Sequence, residues 1–338
     1  MRGLTREGIG AAVVLVGLLG AAAQAQEAPP LSVTYGSKAS TAEGDPDYRE
    51  IMFLSVPDTL RDQLYLRVFD PDTGGDHDLI YGAAADGETR FVLFGGAGAY
   101  SGALSSGGLD LTQDQLSAGE PLVERSYGEN ATFDRAWVTL ASISPEQGER
   151  RDGRLFFRLL IQGTAGDDAN LYSVTLSLRD RRNLAPDDLE IFSFAPTVRV
   201  PNDRTITELR FTAPPDADRL VVRNFDAARA DIQLTTGFRS IPIAASGQNE
   251  WREAEIALQS DERGQPAAIV FRGGDEQPND VTVEVLAAGK PVPIELPARA
   301  GWPNARPLPE ADIAPLADCS SVAFDASRSS DPDGDQLT

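Results

Sequence analysis

Apolar residues along this chain fall in short runs or alternate with polar ones, and outside the first two dozen positions they never hold a long 3.6-residue period. The segments Ile51 to Val56, Leu64 to Phe69, Arg90 to Phe94, Ala136 to Ile143, Leu155 to Ile161 and Leu171 to Leu178 have the length and composition of strands. Clusters of Gly, Asp, Pro and Ser between them read as turns. Such elements bury their apolar faces by stacking one sheet on another, so the expected class is all-β, built of β-sandwiches of jelly-roll type.

The pattern also repeats. Glu50-Ile51-Met52-Phe53 followed by Val56-Pro57-Asp58 matches Glu208-Leu209-Arg210-Phe211 followed by Pro214-Pro215-Asp216 in equal spacing. After a shortening by two residues, Leu64 to Asp70 matches Leu220 to Asp226. Each copy then places a tryptophan (Trp137, Trp251), an apolar strand (Phe156 to Ile161, Ala268 to Phe271) and a last strand after a polar loop (Tyr172 to Leu178, Val281 to Leu286). Two tandem sandwiches of one ancestry are expected, at 30–180 and 187–296, with the polar stretch Arg179 to Asp188 between them.

Three further segments flank them. Arg2 and Arg6, the apolar run Ile9 to Ala23 and the small-residue site Ala23-Gln24-Ala25 read as a signal peptide over 1–25, too short in its apolar part to span a bilayer. Cleavage there places the mature chain in the periplasm, on the cell surface or outside the cell. Prolines from Pro291 through Pro315 predict a stiff linker over 297–317. The last segment, 318–338, stops after a turn into what reads as a strand. The expectation is that the polypeptide is a fragment and that the single cysteine, Cys319, pairs with a residue downstream; a buried free thiol is the alternative.

Composition narrows the chemistry. One cysteine and one histidine leave no ordinary ligand set for zinc, haem or an iron–sulfur cluster. A net charge of −22 opposes nucleic acid and anionic lipid as partners, and removal of Arg2, Arg6 and Glu7 with the leader takes it to −23. His77 would have to serve any Ser-His-Asp triad, yet there is no Gly-x-Ser-x-Gly elbow. The Gly95-Gly96-Ala97-Gly98-Ala99-Tyr100 run lacks the Lys-Ser/Thr of a phosphate cradle, so it reads as a flexible surface loop and no nucleotide is expected. Tyr100, Trp137, Trp251 and Trp302 are candidates for stacking on a sugar, although core packing is the commoner use of a tryptophan in a sandwich.

Two resemblances follow from particular residues. Gly44-Asp45-Pro46-Asp47-Tyr48, the strand to Pro57-Asp58 and Leu64-Tyr65-Leu66-Arg67-Val68-Phe69-Asp70-Pro71-Asp72-Thr73-Gly74 resemble the bacterial pre-peptidase C-terminal (PPC) domain, whose closing hairpin looks like Phe156 to Gly163 and Asn170 to Leu176. A long insertion, from about Ile80 to Arg135, departs from that family's pattern. Val322-Ala323-Phe324-Asp325-Ala326-Ser327-Arg328-Ser329-Ser330-Asp331-Pro332-Asp333-Gly334-Asp335-Gln336-Leu337-Thr338 resembles the opening of a PKD domain, an immunoglobulin-like sandwich of which only the start is present.

Asp70, Asp72, Asp76 and Asp78 alternate around Gly74-Gly75, the arrangement a curled loop needs to offer oxygens to calcium; a solvated hairpin turn is the other reading. Asp331, Asp333 and Asp335 form a second such cluster, and the resemblance to PKD domains implies a calcium-binding turn there. No catalytic residue is expected. Function is expected to be binding or adhesion at the bacterial surface, toward a polysaccharide or an extracellular protein. The alternatives are the accessory N-terminal region of a larger secreted peptidase or glycosidase, or of an OmpA-like envelope protein, with the remaining domains downstream.

Overall fold

The computed structural model describes residues 31–40, 47–75, 77–102, 112–202, 206–228, 230–273 and 279–296, together with the backbone of 312–315 and 322–325. The expected leader, most of the proline-rich linker, Cys319 and the Asp331, Asp333 and Asp335 cluster lie outside the described residues.

The first half contributes β1 (Ser32–Tyr35), β2 (Arg49–Pro57), β3 (Leu64–Phe69), β4 (Glu88–Gly95), β5 (Glu120–Gly128), β6 (Trp137–Ile143), β7 (Glu149–Arg151), β8 (Arg154–Ala165), β9 (Ala169–Ser177) and β10 (Glu190–Ser193). The second contributes β11 (Thr197–Val200), β12 (Ile206–Thr212), β13 (Arg219–Phe225), β14 (Ala230–Thr236), β15 (Ser240–Ile243), β16 (Trp251–Ala257), β17 (Pro266–Gly273), β18 (Asn279–Ala287), β19 (Lys290–Pro291) and β20 (Ile294–Glu295). Strands β21 (Asp312–Pro315) and β22 (Val322–Asp325) pair antiparallel with each other, so a strand stands inside the span expected as linker.

The protein is all-β, an antiparallel sandwich of two sheets. One sheet has nine strands in the order β16-β13-β18-β11-β1-β9-β3-β6, with β19 added on β18. The other has eleven, β15-β14-β17-β12-β20-β10-β2-β8-β4-β5, with β7 added on β8. Both sheets run without a break from one half of the chain to the other. One buried apolar cluster likewise extends from Met52 to Leu296.

The pairing repeats around a pseudo-twofold axis. In the nine-stranded sheet Ser32 pairs with Tyr172 and Val198 with Val281, and Ser32 and Val198 pair with each other. In the eleven-stranded sheet Phe192 faces Glu295, Ser193 faces Ile294, and the Leu296 N–H donates to the Ile191 carbonyl at 2.7 Å. The axis therefore passes between Ser32 and Val198 and between Phe192 and Glu295, and each half presents the same edges to the other.

This geometry corrects the register of one repeat block. Met52, Leu54 and Val56 point into the core, as do Leu209, Phe211 and Ala213. Met52 is thus equivalent to Leu209 and Phe53 to Arg210, one residue away from the match by identity. A slip of one residue exchanges the faces of a strand, and burial fixes which face is inward. The block Leu64 to Asp70 against Leu220 to Asp226 keeps its register, since Leu64, Leu66, Leu220 and Val222 are all inward.

The stretch 80–135, expected as an insertion, contains β4, which pairs with β8, and β5, which pairs with β4, just as β14 pairs with β17 and β15 with β14. Only the segments around those strands are additional. One of them closes over the outer face of β8, which explains why Leu155 to Ile161 reads as a continuous apolar run: Leu155, Phe157, Leu159 and Ile161 face the core, while Phe156 and Leu160 face the covering segment. Arg158, fully buried in that outer layer, donates to the carbonyls of Gln115 at 2.5 Å, Leu116 at 2.9 Å and Ala118 at 2.5 Å. Gln115 and Leu116 form the end of the short helix α1 (Gln113–Leu116) and Ala118 lies just beyond it, so a guanidinium supplies donors to carbonyls at a helix end. The β7–β8 hairpin turns on Asp152-Gly153, with φ of 49° and 77°, the Asp-Gly signature of a type I′ turn.

Polar side chains tie the halves together. Tyr35 Oη donates to Asp280 Oδ2 at 2.8 Å, and Arg199 makes a two-point contact with the same carboxylate, its Nη2 at 2.9 Å. The buried Glu50 carboxylate accepts from Ser193 Oγ at 2.6 Å and from the Thr197 N–H at 3.1 Å, and thereby joins β2, β10 and β11.

Burial raises the Glu50 carboxyl to about 7, against the opposing pull of those hydrogen bonds. The folded state holds this proton more tightly than the unfolded chain, so its contribution is full below about pH 4.5 and is lost as pH rises toward about 7. In urea titrations at pH 5 and pH 8, the wild type is expected to lose up to about 3 kcal/mol relative to Glu50→Gln across that interval. Equal pH slopes in the two proteins would refute this. Arg158→Ala removes the guanidinium donors from the Leu116 and Ala118 carbonyls and is expected to cost about 3 kcal/mol and to open the segment around α1 to limited proteolysis.

Candidate functional site

Where β3 ends, the chain turns through Asp70 with φ of 52°, a left-handed conformation that Asp tolerates better than most residues. Its carboxylate accepts the backbone N–H of Arg135, itself at φ of 54°. Asn170, fully buried on β9, donates Nδ2 to the Pro71 carbonyl at 2.9 Å and so grips the chain between Asp70 and Asp72. Asp72 Oδ2 accepts from the Asn130 N–H at 2.9 Å. Gly75 has φ of 66°, and a Cβ there would lie 2.7 Å from the Asp134 carboxylate, so glycine is required for both backbone and space.

Asp70, Asp72 and Asp134 bring one carboxylate oxygen each within 4.8 Å of one another. Asp70 and Asp72 are 1% and 0% exposed, and the Oδ1 of each has no hydrogen-bond partner among the described residues. Burial, with the Asp72 and Asp134 charges adding to it, pushes the Asp70 carboxyl up to about 7, and burial raises Asp72 as well. The solvated turn is therefore overturned: these acids sit inside the protein.

The other residues predicted by the acidic pattern fare differently. Asp78 is buried but satisfied, Oδ2 accepting from the Gly74 N–H and Oδ1 from the Leu171 N–H, each at 2.7 Å, so it braces the loop. Asp76 lies outside the described residues. His77 packs its ring on Phe69, centroids 5.9 Å apart. Asp134 was not among the candidates because 62 residues of chain separate it from Asp72. Its position three residues before Trp137 was the available signal, since Trp137 and Trp251 pair with the equivalent Phe69 and Phe225.

That equivalence supplies an internal comparison. Asp226 repeats Asp70 with φ of 57°, Asn249 repeats Arg135 with φ of 56° and donates its N–H to Asp226 Oδ1, and Asn279 Nδ2 grips the Asp226 carbonyl. Ala228 and Gln248 stand where the first half has Asp72 and Asp134. The backbone cradle is thus built without the two extra carboxylates. A second acidic group, Asp86, Asp167 and Asp168, is accounted for structurally: Asp168 accepts the N–H groups of Tyr81, Asp86 and Gly87 at 2.8, 2.7 and 3.0 Å.

A cleft of about 400 Å³ opens on the outer face of the eleven-stranded sheet, at the pseudo-twofold axis. Its lining includes the aromatic Tyr100, Phe156 and Phe192 and the polar Glu190, Thr212 and Glu295. Tyr100 stacks on Phe156 at 4.2 Å between centroids and meets Phe53 edge-on at 5.3 Å, so the glycine-rich run is packed rather than free at this point. Glutamate 149 fixes it by accepting the N–H groups of Tyr100 and Ser101 at 2.6 and 3.0 Å. At the axis, equivalent strand positions differ in chemistry: Phe192 corresponds to Glu295 and, on the next strand out, Phe53 to Arg210. Trp137 packs in the core against Phe69, and Trp302 lies outside the described residues.

No family model matches the chain, and no curated protein does. Among solved structures, the naturally empty top-component particle of cowpea mosaic virus aligns over 80% of this chain and 90% of its own, at 8% identity and a TM-score of 0.22. The tandem CBM22-1–CBM22-2 domain of Paenibacillus barcinonensis Xyn10C aligns over 71% and 79%, at 12% identity and a TM-score of 0.15. The Gx strain of infectious bursal disease virus aligns over 79% and 75%, at 11% identity and a TM-score of 0.15. Likeness this low leaves the fold to be read from the strand pairing itself.

Proposed function

We propose that this chain is a non-catalytic binding protein of the bacterial surface or periplasm, and that it holds a neutral polysaccharide in the cleft of Tyr100, Phe156 and Phe192. The observation that carries the reading is that aromatic side chains and carboxylates line one cleft. A sugar ring has an apolar face of C–H groups and an edge of hydroxyls, so it meets an aromatic surface and a set of acceptors at the same time. Glu295 is an acceptor only, which suits hydroxyl donors, and Glu190 stands beside it with Arg154 as its ion-pair partner at 3.2 Å. The net charge of −22 repels anions at longer range. A cleft of about 400 Å³ is in the size range of small-ligand sites. The basic, apolar, small-residue beginning of the sequence supports an address outside the cytoplasm.

Affinity electrophoresis through gels cast with neutral polysaccharides, followed by calorimetry on the one that retards the protein, tests the reading. Tyr100→Ala and the double variant Glu190→Gln/Glu295→Gln are each expected to weaken binding about tenfold, the cost of one lost charged hydrogen bond or stacking contact. Retardation by none of the gels, or unchanged affinity in both variants, would refute it. Release of reducing ends from the bound polysaccharide would show that the chain is a catalyst.

A further inference from the structure

We propose that Asp70, Asp72 and Asp134 form a single calcium site in the first half of the molecule. The inference is independent of the saccharide reading and rests on three observations.

The first is the pair of buried oxygens. Asp70 and Asp72 are almost completely removed from solvent, and Oδ1 of each has no hydrogen-bond partner among the described residues. A buried carboxylate oxygen without a partner costs folding free energy, and placing a second and a third carboxylate beside it adds repulsion. A dication answers both costs at once.

The second is spacing. Oxygens within 4.8 Å of one another fit a common ion, since calcium holds its ligands at about 2.3–2.6 Å and opposite ligands then stand about 5 Å apart. Three carboxylates from two separated loops, with backbone and water completing six to eight oxygens, suit calcium's flexible shell.

The third is the contrast with the second half. The same left-handed aspartate and the same N–H donor two residues before the tryptophan are built at Asp226 and Asn249, and the equivalent asparagine, Asn279, grips the turn one carbonyl earlier than Asn170 does, with Ala228 and Gln248 in place of the extra acids. Asp72 and Asp134 are therefore not needed to make the turn. Asp168 shows the opposite case, a buried acid whose oxygens are taken up by backbone donors.

The test uses the full chain stripped of metal with a chelator. Isothermal titration with calcium chloride is expected to count one more site in the wild type than in Asp72→Ala/Asp134→Gln, which copies the residues that the second half carries on the same cradle. Calcium on the order of 1 mM is expected to raise the wild-type melting temperature by roughly 5 °C and to leave that increment out of the double variant. Without calcium the double variant should melt at or above the wild type, because it lacks the repelling acids; this readout also shows that it folds. Site counts and calcium-induced shifts that are the same in the two proteins, or no binding by the wild type, would overturn the proposal.

Discussion

An antiparallel sandwich must end somewhere, and the backbone groups of its last strand stand ready to pair with another chain. In this molecule the edges that matter are β1 and β10 in the first half and β11 and β20 in the second, and each meets its own counterpart. The contact is self-complementary because the two halves are related by a pseudo-twofold axis, so one solution to the edge problem serves both. Continuous sheets, a shared core and the polar ties at Glu50 and Asp280 all depend on that meeting. The halves fuse as a symmetric dimer does, with a covalent link that removes the concentration dependence of the pairing.

Duplication separates what the backbone needs from what a site needs. Positions common to both halves are those that turn the chain or pack it: the Asp at the end of β3 and β13, the Phe before it, the Trp across from that Phe, and the Arg whose guanidinium lies over the Trp ring, 5.8 Å from the centroid in one half and 4.7 Å in the other. Positions that differ are those facing outward or into the loop cradle. Phe53 and Phe192 cover one half of the outer sheet face where Arg210 and Glu295 stand in the other.

Much of this was legible in the sequence. Alternation and short apolar runs marked the strands, because burial on one face of a pleated sheet imposes a period of two. The two copies were visible because loops drift faster than the residues that set a turn. The register of Glu50 to Asp58 against Glu208 to Asp216 was misread by one residue, since identity at Glu50 and Phe53 outweighed a face that only packing reveals: Phe53 is outward and Phe211 inward. The acidic loop was partly misread for a related reason. Asp-rich turns are usually solvated, and nothing local shows that residues 120–136 fold back to cover this one. Arg158 and Glu50 were invisible as anchors, because a charged residue inside an apolar run carries no mark of the carbonyls or N–H groups that will meet it.

Symmetry also fixes how many of each feature the molecule can have. A cradle that lies away from the axis occurs twice, and divergence is free to keep acids in one copy and remove them from the other. A cleft that lies on the axis occurs once, and the strand positions that meet there, Phe192 and Glu295, are the same structural position in the two halves. Aromatic residues at both would give a self-complementary apolar patch, prone to pairing with a second molecule. Carboxylate and cation at both would give a fully polar trough. The observed split, with Phe192 paired across the strands with Glu295, avoids each of these outcomes and leaves the surface at the axis apolar on one side and acidic on the other.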